Sequence, residues 1–116
     1  MRSKNHLILL IINILCLVAI CAGPVFGQDN KTLKEYDKII EKHTKNNNQI
    51  EAAKYLNKAG YLSWRTGQLE EAIKYFKSSI EINEDIGNKN AIKQLNSNIG
   101  LIYTDLKEFE KSVEYL

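Results

Sequence analysis

Tyr61, Trp64 and Arg65 stand three and four residues apart in the stretch AGYLSWRTGQLEEAIKYF, residues 59–76. On a helix that spacing puts them on one face. Two aromatic surfaces beside a guanidinium are what a protein or peptide contact uses. Other residue types that could do chemistry have simpler explanations. Glu70 and Glu71 open a helix, where negative charge offsets the orphan N–H groups, so the pair needs no acid–base role. Ser63 has no His or Cys near it in sequence and is a small residue on an apolar helical face. His43, among Lys42, Thr44 and Lys45 at a helix end, reads as a solvated residue favoured by the helix dipole. Asp105, Glu108 and Glu110 lack the spacing of a Ca²⁺ loop. Gly60 and Gly67 are not followed by the Lys-Ser/Thr of a phosphate loop. No catalytic residue, metal ligand or cofactor site is expected.

The 116-residue chain has the length and composition of one globular domain. Its first residues place Arg2 and Lys4 ahead of an apolar run from Leu7 to Ala22, followed by Gly23, Pro24 and Val25-Phe26-Gly27. A basic n-region, a short apolar h-region and small residues near a cut are the layout of a secretory signal. The run is shorter than a spanning helix needs, and Gly23-Pro24 stops it. Residues 1–27 are therefore read as a signal peptide, with Gln28 as the mature N-terminus. An uncleaved anchor and a lipoprotein on Cys21 are the alternatives, the second weakened by Ile20 where a small residue is normal. The expected location is the periplasmic or extracytoplasmic face of the envelope, reached through the Sec pathway. Removal of the signal leaves 14 basic and 14 acidic residues and takes away both cysteines, Cys16 and Cys21. With no basic stripe left, nucleic acid is not expected as a partner. Membrane contact is expected only through the signal or anchor, or through a downstream segment.

From Thr32 onward no Pro occurs, and apolar residues recur three and four apart. Leu33, Tyr36, Ile39 and Ile40 mark a first helix that ends near HTKNNNQ. A second carries Ile50, Ala53, Leu56, Ala59-Gly60 and Ser63-Trp64, and Gly67 is its stop. The third carries Leu69, Ala72-Ile73, Phe76, Ser79-Ile80, Ile82 and Ile86 and ends at Gly87. A fourth carries Ala91-Ile92, Leu95, Ile99-Gly100 and Tyr103, and a fifth starts with Phe109, Val113 and Leu116. Two-residue alternation is absent, so strands are excluded. Short turns make neighbouring helices antiparallel, and each hairpin exposes an apolar face that it cannot bury alone.

The pattern repeats. Gly60, Leu69, Ala72 and Phe76 stand 40 residues before Gly100, Phe109, Ser112 and Leu116. Leu56, Ala59-Gly60, Gly67, Leu69, Ala72 and Phe76, followed by Ile99-Gly100, Tyr103 and Phe109, resemble the signature of the tetratricopeptide repeat family. The expected fold is all-α, an antiparallel helix-hairpin array wound as a right-handed solenoid. Residues 28–116 then hold a degenerate half-repeat at about 32–48, a repeat at about 49–87 and a partial repeat at about 89–116. Gly60, Gly100 and Ala72 are expected where two helices cross closely, with Phe76, Tyr103 and Phe109 filling the space beside them. The spacing exceeds the roughly 34 residues of the commonest form. EDIGNK followed by NIGLIY is similar to long repeats that precede membrane-bound sensor histidine kinases and related regulators. The helix after Phe109 would continue to about residue 126 by its own repeat, so the chain reads as the N-terminal piece of a longer protein.

The resemblance implies that the first helix of each repeat lines a concave groove. Lys54, Asn57, Tyr61, Trp64 and Arg65 match groove positions in one repeat, and Leu101, Thr104 and Asp105, with Gln94 and Ser97, in the next. Of the groups that carboxylate-clamping members need, only Asn98 is in place, so that specialisation is not expected. For Trp64 two readings stand: contact with a ligand, or packing on the preceding helix near Tyr36 and Ile40 with Arg65 stacked over it. The expected function is binding of a protein or peptide, as the sensing or scaffolding segment of a longer envelope signalling protein. A regulatory region of a sensor histidine kinase and a spacer without a ligand are the alternatives.

Overall fold

The computed structural model describes residues 31–116. The expected signal segment, with Cys16, Cys21 and His6, lies outside the described residues. Five helices follow one another: α1 (Leu33–Lys45), α2 (Gln49–Arg65), α3 (Leu69–Asp85), α4 (Lys89–Asp105) and α5 (Phe109–Tyr115). No strand occurs among the described residues.

One device makes all four turns. The residues at Asn47, Gly67, Gly87 and Lys107 have φ of 54°, 80°, 73° and 61°. This left-handed residue lets the chain reverse while the last carbonyls of the helix stay bonded. After α2 the Gly67 N–H donates to the Trp64 carbonyl at 3.1 Å and the Gln68 N–H to the Ser63 carbonyl at 2.8 Å. The same pair of bonds closes α1, α3 and α4. These are Schellman closures, and they satisfy carbonyls that would otherwise be orphaned. Helix starts are less uniform. Thr32 and Glu35 form a reciprocal capping box on α1, and the Asn48 and Asn88 side chains accept from Glu51 N and Ala91 N. Gln68 and Glu108 make no side-chain cap.

Consecutive helices pack on each other. Ala72, Ile73 and Phe76 of α3 form a buried cluster with Leu95, Ile99 and Ile102 of α4, and Trp64, Leu69, Ile80 and Tyr103 pack against it. Links between alternate helices set two layers. In the outer layer the Tyr75 hydroxyl of α3 donates to Asp37 Oδ1 of α1 at 2.7 Å, and Lys77 Nζ lies 5.7 Å from the centre of the α5 Tyr115 ring. In the inner layer α2 and α4 are joined by the side chains of the candidate site.

Three expectations are corrected. Phe109 fills no space beside a helix crossing: it is 62 % exposed, as are Val113 and Leu116 at still higher values. α3 is covered by both α2 and α4, whereas among the described residues α5 packs mainly on α4 and reaches α3 through Tyr115. His43 is not simply solvated. Its ring stacks on Tyr55 at 5.7 Å and 10° between planes, because the end of α1 lies across α2. Trp64 does not pack near Tyr36 and Ile40. Its ring meets Phe76 of the following helix, and Tyr36 lies instead beside Tyr55.

Candidate functional site

Gly60 places the site. A methyl group on it would come within 2.6 Å of the Phe76 ring, so only hydrogen lets α3 approach α2 at this level. Phe76 is fully buried there, and its ring becomes a wall for exposed Tyr61 and half-buried Trp64. Tyr61 meets it edge-on at 5.2 Å and 74°, and Trp64 at 6.4 Å and 87°. Tyr61 and Trp64 then lie nearly parallel, 6.4 Å apart at 15°. Both arrangements suit the ring quadrupoles.

The polar ends of the two rings are tied to the next repeat. Asn98 Nδ2 donates to the Tyr61 hydroxyl at 2.7 Å, and the Trp64 indole N–H donates to Asp105 Oδ2 at 3.2 Å. Two bonds from one helix to the other fix ring orientations that packing on a single side would leave loose. Arg65 completes the wall: Tyr61, Trp64 and Arg65 line an open pocket of about 380 Å³. Arg65 is exposed at the last turn of α2.

The structure thus brings Tyr61, Trp64, Arg65 and Asp105 together and adds Asn98 as the link that holds Tyr61. Leu101 stands on α4 where Tyr61 stands on α2, next to a glycine, and the two are 48 % and 43 % exposed. Three further sequence candidates have contacts of their own. Lys54 pairs with Glu51 at 3.6 Å on its own helix. Asn57 is half-buried, with its Oδ1 shielded from solvent and unbonded among the described residues. Thr104 turns toward α5: its hydroxyl donates to the Gly100 carbonyl and lies 2.7 Å from the Ser112 hydroxyl. The Phe76 wall and the Asn98 link were the parts that residue spacing on one helix does not reveal, since both come from other helices. Among the described residues no group of three His, Cys, Asp or Glu side chains could hold a metal ion.

Antiparallel hairpins stacked in two layers, with an aromatic and polar inner face, define a helical repeat array. Residues 53–86 and 94–116 match the family model described as tetratricopeptide repeat, so the chain carries tetratricopeptide repeats across this region. The helix α1 precedes the matched residues. No curated protein and no solved structure gives a significant match to the chain.

Proposed function

We propose that this protein is a non-catalytic interaction module that binds a protein or peptide along the inner face formed by α2 and α4. Tetratricopeptide repeats are typically interaction modules, and one observation carries the assignment to this face. Tyr61 and Leu101, large apolar residues at matching positions of successive repeats, stay exposed although the fold has buried partners such as Ile99 and Phe76 one step away. A paired apolar stripe with a polar border of Asn98, Asp105 and Arg65 suits an extended segment or a docked helix. Its rigidity lowers the ordering cost of binding.

The basic start and short apolar run before Ala22 support an exported protein, with the array on the outer side of the cytoplasmic membrane. No helix among the described residues is long and apolar enough to cross a membrane. The 40-residue sequence period and the EDIGNK and NIGLIY stretches support a sensing role ahead of a signalling region, with a sensor histidine kinase as the specific form. N-terminal sequencing of the protein from cells tests export, with a start at Gln28 expected and a start at Met1 contradicting cleavage. For the binding face, a photocrosslinking side chain is placed at residue 101 or, as the outer-face control, at residue 74. Adducts from 101 that fall with Tyr61→Ala are expected, and adducts from 74 alone would contradict the reading.

A further inference from the structure

Arg65 is the one arginine after Arg2, and its guanidinium makes no ion pair or hydrogen bond among the described residues. Lys45, Lys54, Lys74 and Lys111 each pair with a carboxylate three or four residues away. Lys45 closes α1 as Arg65 closes α2, and Glu41 holds it. Arg65 has no such acid: the residue four before it is Tyr61. It opens instead onto the pocket whose other walls are Tyr61 and Trp64.

The pocket therefore combines three kinds of surface. The Trp64 N–H is engaged by Asp105, so this ring offers a ligand carbon surface. Tyr61 offers its ring, with the hydroxyl oxygen already accepting from Asn98. Arg65 offers a planar fork of N–H donors, which fits a carboxylate through two parallel bonds and is more weakly hydrated than an ammonium. Asp105 places a negative charge at the α4 edge of Trp64 and opposes an acid there.

Resting on the inner-face reading above, we propose that the pocket selects an internal acidic side chain of an extended peptide. Its carboxylate pairs with Arg65, and the neighbouring apolar residue covers the Tyr61 and Trp64 rings. Asp105 keeps the acid on the α2 side, so the peptide enters with one polarity. The recognised group is a side-chain carboxylate and not a chain terminus: Asn98, the one clamp-type amide in place, already donates to the Tyr61 hydroxyl, which leaves Arg65 as the pairing group.

Trp64 is the chain's one tryptophan, so its fluorescence reports this pocket directly. The full chain is titrated with three peptides: amidated acetyl-Gly-Glu-Leu-Gly, its Gln-for-Glu counterpart, and that Gln peptide with a free C-terminus. The Glu peptide is expected to give a saturable change and to bind roughly 10-fold or more tightly than the amidated Gln peptide, the loss typical of one charged hydrogen-bonded pair. Arg65→Gln should abolish that preference, and Arg65→Lys, which keeps the charge at the helix end, should restore only part of it. Asp105→Asn should reduce the one-sided exclusion and tighten the Glu peptide. Circular dichroism should be unchanged for each Arg65 variant, since the side chain is exposed. Equal binding of Glu and Gln peptides, or a preference that survives Arg65→Gln, would overturn acid selection. Binding of the free-terminus Gln peptide as tight as the Glu peptide would replace the side chain by a terminal carboxylate and overturn the proposal. No saturable change with any peptide would overturn it too, while the inner-face reading would still be decided by the crosslinks at residue 101.

Discussion

The Phe76 ring lies so close over Gly60 that an added Cβ would sit 2.6 Å from its Cε1 and 2.7 Å from its Cδ1. At the matching place one repeat on, a Cβ added to Gly100 would sit 2.7 Å from Leu116 Cγ and 3.3 Å from the Ser112 carbonyl oxygen, yet Leu116 is 71 % exposed and can swing away. Gly60→Ala should therefore destabilise by about 1–3 kcal/mol through overpacking, outweighing the roughly 1 kcal/mol that Ala gains as a helix former. Gly100→Ala should cost less or nothing. Urea midpoints of the two variants check the difference, and a larger loss for Gly100→Ala would contradict the packing account.

Lys107 holds φ of 61° in the turn where Gly67 and Gly87 do the same work without a side-chain clash. Lys107→Gly should stabilise by about 0.5 kcal/mol, the relief of the left-handed strain less the extra freedom of the unfolded chain. Gly67→Ala should destabilise by about 1 kcal/mol, though nothing crowds its Cβ within 4 Å. Thermal melts of both variants measure the pair of opposite shifts.

Ser63 and Ser79 are equally buried but differently bonded. Ser79 Oγ donates to the Ala53 carbonyl at 3.3 Å and accepts from Asn83 Nδ2, whereas Ser63 Oγ has no partner among the described residues. Ser63→Ala should be neutral or stabilising, and Ser79→Ala should cost about 1–2 kcal/mol, since it also strips a partner from buried Asn83. Denaturant unfolding of the two alanine variants decides it.

Tyr75 is hard to ionise. Partial burial, then the bond to Asp37 and the charges of Asp37 and Glu71, push its phenol well above the usual range. A phenol whose pKa is raised by folding favours the neutral form, so its contribution to stability is fully present below the unfolded value of about 10 and is lost as pH rises through the folded value. A high-pH step of the phenolate absorbance titration should be lost in Tyr75→Phe. That variant should also lose less stability than the parent between neutral pH and pH of about 11.

Much of the fold was legible because most helix ends carry their own signal. Gly67 and Gly87 mark turns that local sequence alone locates, and the recurrence of Gly60 and Phe76 as Gly100 and Leu116 exposes the stacking. The turn at Lys107 was harder to read, since a lysine in the left-handed region has no compositional mark. Phe109 looked like core because its type and position match Leu69, yet burial depends on a neighbour on each side, which residue type does not encode. Of the candidate site, the shared face of Tyr61, Trp64 and Arg65 followed from helical spacing. Its support did not: Asn98 and Asp105 reach those rings from 37 and 41 residues away, and the direction in which Trp64 leans is a tertiary choice.

Crosslinking from residue 101 against residue 74, in cells producing the full protein, tests the inner face most directly. The account predicts partner adducts from 101, on the exposed stripe with Tyr61, that diminish in Tyr61→Ala, and none from 74 on the outer layer. Adducts from 74 with none from 101, or adducts from 101 that Tyr61→Ala leaves unchanged, would contradict it.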